Sequence, residues 1–201
     1  MKERPILFSG EMVRAILDGS KTMTRRVIKP QPGNVTTGPT PMGSNWMAWG
    51  MYGMVRDLWC PYGQPVDRLW VRETWSQFAP RPKPGDGVPE NACIDYRADY
   101  SASALRRGLD SDGDPYKPPS WRPSIHMPRW ASRINLEVVS VRVERVQDIS
   151  EDDARAEGIS NPLGSLALNI FPSLWDSINL KRGYGWDTNP WVWVIEFKRL
   201  P

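Results

Sequence analysis

A lysine and a threonine three residues apart carry the clearest chemistry in this sequence. The run Lys21-Thr22-Met23-Thr24-Arg25-Arg26 follows closely on Gly19 and leads into Val27-Ile28 and Pro30. A threonine hydroxyl is a poor nucleophile until a neighbouring base accepts its proton. A lysine amine does so when burial or nearby cations lower its pKa, and Arg25 and Arg26 are such cations. Lys21 and Thr24 are close enough to face one pocket, and attack of the hydroxyl on an acyl carbonyl would create an oxyanion needing an arginine or backbone N–H groups as donors. The same residue types are equally ordinary where a chain leaves a helix and enters a strand.

Composition points the same way without deciding it. The net charge is only +3, too small for a chain that holds nucleic acid by charge alone. Among the basic residues 19 are Arg and 7 Lys, and there are 11 Trp, so planar cations and large π surfaces are available to stack on bases and fork onto phosphates. Arg72, Arg129, Trp130, Tyr184 and Trp186 are candidates for such a clamp, although tryptophans also fill cores. Two cysteines, Cys60 and Cys93, and one histidine, His126, make neither a disulfide framework nor a zinc spacing, and no cofactor is expected. His126 reads as a structural histidine. No apolar run approaches a membrane span and the start lacks a signal peptide's apolar stretch, so a soluble, cytoplasmic protein with no membrane partner is expected. With 201 residues and 40% hydrophobic content the chain suits a single domain, taken as a monomer.

The elements that must position these residues are short. Ser9 N-caps a helix with Glu11 in its first turn and Met12, Val13, Ile16 and Leu17 at helical spacing, and Gly19 ends it. The cluster therefore leaves a helix end and enters a strand. From about 29 to 65 the pattern dissolves into Pro and Gly with Trp46, Trp49 and Trp59 scattered through it, which predicts a long irregular excursion. Asp67 to Trp75 alternates as a strand, with Leu69, Val71 and Glu73 on one face and Trp70, Arg72 and Thr74 on the other; Glu73 is either the strand end emerging into water or a site residue. A second excursion, about 76 to 125, is rich in Pro and Gly, with a short helix predicted between Asp99 and Gly108.

Further on, Ile134 to Val146 is a long β run whose apolar face changes phase at Val138-Val139, the mark of a bulge or corner. Ser150 caps a short helix with Glu151, Asp152 and Asp153 in its first turn and Glu157 just before the stop at Gly158, where an acid opposes the helix dipole. Pro172 is placed for the first position of another helix. Trp191 to Phe197 is a closing strand, apolar on both faces and hence central. Short strands, few helices and two insertions predict a mainly β (α+β) chain, a small β-barrel with helices at its ends.

These residues carry a resemblance. Gly19-Ser20-Lys21-Thr22-Met23-Thr24-Arg25-Arg26 is similar to the Gly-x-Lys-Thr-x-Thr-x-Arg signature that opens ASCH domains, PUA-like barrels associated with RNA. Asp67 to Thr74 resembles the family's Gly-Asp-x-Leu-x-Val-x-Glu strand, with Val66 where a glycine is usual. The helix ending at Glu157-Gly158 and the strand from Trp191 to Phe197 resemble later family elements in the same order. The two insertions resemble those of a longer group found among prophage-encoded proteins. The smallest bacterial members are amidohydrolases that deacetylate N4-acetylcytidine, and the resemblance implies a catalytic set of Lys21, Thr24 and Glu157. Glu157 would orient Lys21 or shuttle a proton to the leaving N4. Arg25, Arg26, Arg72, Glu73, Arg129, Trp130, Tyr184 and Trp186 are the expected substrate contacts.

Two further readings stand beside the hydrolase: a non-catalytic module that binds RNA or modified nucleic acid on an Arg- and Trp-lined groove, and, more weakly, a nuclease. For the nuclease the sequence offers neither clustered carboxylates for metal ions nor a histidine pair. Tryptophans of the first excursion turned inward over the site would favour a small ligand; turned outward beside arginines, a polymer.

Overall fold

A computed structural model describes residues 1–38, 44–50, 55–78, 82–83, 85, 87, 89–91, 93–100, 120–159 and 166–201. The described chain is mainly β with few, short helices, and no strand pairing among the described residues closes a sheet on itself. Among the described residues no helix is long and apolar enough to cross a membrane. Two compact units are distinguished, residues 1–19, 68–136 and 199–201 forming one, and 20–67 and 137–198 the other.

In the first unit, strand β1 (Glu3–Leu7) runs parallel to β6 (Arg68–Arg72), Glu3 opposite Arg68 and Leu7 opposite Arg72. β1 pairs on one side only, which is how it tolerates Pro5. Helix α1 (Gly10–Leu17) begins as its sequence predicts: the Ser9 hydroxyl accepts from the Met12 N–H, Val13 and Ile16 turn into the core, and Gly19 takes a left-handed φ of 84°. The second excursion is more ordered than expected. Strands β7 (Trp75–Gln77) and β8 (Ile94–Tyr96) pair antiparallel over a cluster of Trp75, Cys93, Ile94, Tyr96, Met127 and Ala131, with Trp130 packed against it. The helix predicted between Asp99 and Gly108 lies outside the described residues beyond Tyr100; Arg97–Asp99 is a 3-10 turn.

In the second unit, β2 (Met23–Val27) pairs antiparallel with β10 (Trp191–Arg199), and β9 (Asn135–Arg145) lies on the other side of β10. β10 is central, as its two apolar faces require. β9 continues unbroken through the predicted change of phase. The first excursion is not irregular: β3 (Asn34–Thr37), β4 (Trp46–Trp49) and β5 (Val55–Asp57) form a three-stranded antiparallel sheet. These strands are too short, and too interrupted by Pro and Gly, for alternation to show.

Helix α2 (Glu151–Ala156) starts at the Ser150 cap, while α3 (Ala167–Asn179) begins five residues before Pro172, which sits inside it. Leu166 supplies no side-chain cap. The cap comes from α2: the Glu151 carboxylate accepts from the N–H groups of Ala167 and Leu168 at 2.9 and 3.0 Å. A cap lent by another helix leaves no local signal, and the proline became the nearest apparent start. Phe171 and Trp175 of α3 pack with Met23, Val146, Ile149, Ala154, Val192 and Val194 to make this unit's core.

Val66, the residue standing where a glycine was expected, has φ of +77° in the turn closed by the Asp67 N–H on the Gln64 carbonyl. A β-branched side chain is strained there. Its side chain is 62% exposed, so truncation loses little packing. Val66→Gly should therefore raise stability by about 1 kcal/mol, strain relief outweighing the added freedom of the unfolded chain. Thermal melting checks this; a lower melting temperature would show the turn to be unstrained.

Candidate functional site

Lys21 precedes β2 and faces the C-terminal end of α2. The backbone draws them together: Lys21 and Glu157 form an antiparallel bridge, the Thr22 N–H donates to the Ala156 carbonyl at 2.9 Å, and the Phe197 N–H donates to the Thr22 carbonyl at 2.8 Å. The Lys21 ammonium then donates to both the main-chain carbonyl and the Oε2 of Glu157, at 2.8 and 2.7 Å. Its side chain is wholly out of water. This explains the acid at the end of α2. Glu157 is the helix C-cap, and a buried ammonium on its carbonyl supplies the positive charge that a helix C-terminus favours.

Glu157 meets a second cation. Arg25 Nη1 lies 3.5 Å from Glu157 Oε1, and Arg25 Nη2 donates to Asp153 Oδ2 at 2.6 Å. Asp153 and Glu157 are one helical turn apart on α2, so both carboxylates line the same face. Arg142 Nη2 donates to Asp153 Oδ2 at 2.8 Å and its Nε to Glu144 Oε1 at 2.7 Å, while Glu144 Oε2 sits 3.5 Å from Arg25. The Arg25 guanidinium also lies over the Phe171 ring. Burial pushes the Lys21 amine down from its usual value, with Arg26 and Arg25 acting in the same sense, and Glu157 opposes by charge and hydrogen bonding. The cluster thus holds a buried amine, its pKa lowered, against a carboxylate that fixes its orientation.

Thr24, on β2, is buried opposite Ile195 of β10. Alternation along the strand sends Thr24 and Arg26 to one face and Met23 and Arg25 to the other. Arg25 and Arg26, adjacent in sequence and expected to act together, therefore part: Arg25 joins the α2 carboxylates, whereas Arg26, half-buried, lies 5.9 Å from the Tyr62 ring.

The remaining expected contacts fall in two places. Tyr184 and Trp186 belong to the same unit as Lys21. Trp186 is a core anchor, edge-on to Phe171, and its main-chain N–H donates to the Asp176 carboxylate. Tyr184 lies beneath the Lys29 ammonium, 5.1 Å from ring centre to nitrogen. Arg72, Glu73, Arg129 and Trp130 belong to the other unit. There Arg72 lies over Trp70, Arg129 binds Glu3 and Asn135, and Trp130 stands edge-on to Trp75 within the core. Glu73 does not emerge into water: it is 1% exposed and held by Arg133. Trp46 is buried edge-on against Trp193, while Trp49 and Trp59 are exposed.

Sequence reasoning missed Asp153, Arg142, Glu144 and Tyr62. The four-residue interval between Asp153 and Glu157 was a usable signal; Arg142 and Glu144 reach the cluster, and Tyr62 reaches Arg26, through pairings that no local pattern announces. Among the described residues no group of three or more His, Cys, Asp or Glu side chains is disposed to hold a metal ion. Comparison with protein-family models, with curated proteins and with solved structures finds no match for this chain.

Proposed function

We propose that the Lys21–Glu157 centre belongs to an amidohydrolase that removes an acyl group from N4-acetylcytidine or a related modified nucleoside, on a PUA-like barrel. The observation that carries this reading is the burial of Lys21 against Glu157: burial lowers the pKa of the amine, as a base requires, and the carboxylate holds it in one orientation. The signature from Gly19 to Arg26 supports it from the sequence side.

In this reading neutral Lys21 takes the proton of the Thr24 hydroxyl as its oxygen bonds to the acyl carbon. The tetrahedral oxyanion collapses, the bond from carbon to N4 breaks, and the Lys21 ammonium returns the proton to N4. Water, deprotonated by Lys21, then attacks the acyl carbon of the Thr24 ester; the Thr24 oxygen leaves, takes the proton back from the Lys21 ammonium, and the carboxylic acid is released. Glu157 holds Lys21 throughout, and Arg25 balances the carboxylate's charge.

Incubation of the wild type with N4-acetylcytidine, followed by chromatography, should show release of cytidine. Thr24→Val keeps the shape of the side chain and removes the hydroxyl, and release should fall by at least about 100-fold. Turnover that persists in this variant, or no turnover in the wild type, would overturn the assignment. A second reading, a non-catalytic RNA-binding module, is favoured by one observation: Trp49 and Trp59 present their rings at the surface, where bases can stack.

A further inference from the structure

Helix α3 carries more apolar surface than its own unit covers. Ala167, Phe171 and Trp175 turn into the core, yet Leu166, Ile170 and Ile178 are exposed and Leu174 is half-buried. Positions 166, 170, 174 and 178 recur at four-residue intervals, so their side chains form one continuous ridge along the helix, beside the buried arc. The rest of the solvent side is uncharged. Asn169, Ser173 and Ser177 lie there, and Asp176, the one charged residue of the helix, accepts the Trp186 main-chain N–H at 2.6 Å. A helix side that meets only water ordinarily carries charge. Charge collects instead at the two ends of α3, with opposite sign. At the N-terminal end the Glu151 carboxylate accepts from Ala167 and Leu168, which brings the acidic first turn of α2 there. Arg155 pairs with Glu151, whereas the neighbouring Asp152 is exposed and no ion pair with a described residue holds it. At the C-terminal end the chain continues straight into the turn Leu180–Arg182, where Lys181 and Arg182 are exposed and likewise held by no ion pair among the described residues.

We propose that the ridge of Leu166, Ile170, Leu174 and Ile178 is the contact face of a homodimer, in which α3 packs antiparallel on α3 of a second copy about a two-fold axis. A two-fold contact uses the same patch on both partners, and a ridge of four-residue spacing fits the matching groove of an identical helix. Asn169, Ser173 and Ser177 beside the ridge bring no charge that the contact would have to desolvate. Charge sets the direction. With the helices antiparallel, Lys181 and Arg182 of each copy face the Asp152 end of the other; parallel packing would set cations against cations. Both halves of this complement lie on one chain, which favours a second copy over an unrelated partner. The pairing does not depend on the hydrolase reading.

Sedimentation equilibrium of the full chain over the micromolar range tests this. The wild type should approach twice the mass of one chain. Ile170→Glu/Ile178→Glu should raise the dissociation constant at least about 100-fold, while circular dichroism and thermal melting show the fold retained, both residues being exposed. Lys181→Glu/Arg182→Glu should weaken the dimer at least about tenfold at low salt. Adding Asp152→Lys to that variant should recover most of the loss, since unlike charges then face each other again with their signs exchanged. A wild type that stays monomeric throughout the range would overturn the proposal and leave the ridge to a different protein. A dimer that survives Ile170→Glu/Ile178→Glu would also overturn it, having formed through another face. A dimer indifferent to the charge reversal, or strengthened by it, would overturn the antiparallel arrangement.

Discussion

Glu157→Ala is expected to lose about 3–5 kcal/mol of folding stability, measured by urea denaturation at neutral pH, because it leaves the Lys21 ammonium buried without its carboxylate. The Lys21 side chain has no exposed surface, and its ammonium donates to both the carboxylate and the carbonyl of Glu157. Lys21→Met/Glu157→Leu, which removes both charges and fills similar volume, should recover most of the loss. A double variant as unstable as the single one would show that the site needs the ion pair for packing as well as charge. The pH dependence has a definite sign. Burial lowers the Lys21 pKa in the folded protein below the ordinary lysine value of 10.5, so between the folded pKa and about 10.5 the unfolded chain binds more protons. Stability contributed by this group therefore rises with pH across that window. Glu157→Gln removes the main influence raising the pKa and extends the window to lower pH. In the hydrolase reading the alkaline-going limb of kcat/KM shifts the same way, a readout that a purely structural glutamate would not move.

Arg133→Ala is expected to cost a similar amount in the other unit, about 3–5 kcal/mol at neutral pH, since it strips the partner from a carboxylate that is 1% exposed. Arg133 Nε and Nη2 donate to the two oxygens of Glu73 at 3.0 and 3.1 Å, its Nη1 and Nη2 to Asp99 at 2.8 and 2.7 Å, and its guanidinium lies 3.9 Å from the centre of the Tyr96 ring. Burial raises the Glu73 pKa above the ordinary glutamate value of 4.5, and Arg133 is the main influence restraining it. A carboxyl whose folded pKa is raised binds more protons folded than unfolded, so stability falls as pH rises from about 4.5 through the folded value. Without Arg133 that fall extends further. The loss on Arg133→Ala should be smallest in acid and largest at neutral pH, and Glu73→Gln added to Arg133→Ala should flatten the profile. A loss independent of pH would instead assign Arg133's contribution to its packing on Tyr96.

The elements legible in the sequence are those whose signals are local. Ser9 and Ser150 cap α1 and α2 through oxygens three residues from the N–H they accept, and β10 announces its central place by apolar residues on both faces. Val66 stood out because a glycine was expected there, and the backbone has the left-handed φ for which glycine is suited. Lys21, Thr24 and Glu157 were legible as residue types at a strand entry and a helix end.

That Lys21 and Glu157 would meet was expected from the family resemblance alone, and no local pattern announces it. The Lys21–Glu157 bridge spans 136 residues, and it exists because β2 and the end of α2 share backbone hydrogen bonds that only the folded chain brings together. The start of α3 was hidden because its cap is the Glu151 carboxylate of another helix. The three-stranded sheet was hidden because strands of three or four residues lack room for a period to appear. By itself the sequence determined which residues were chemically able, and where helices begin under their own caps. The tertiary structure decided which of those residues are buried, which carboxylate each cation meets, and that Arg25 and Arg26 serve opposite faces, because burial and ion pairing depend on approach through space between segments distant in the chain.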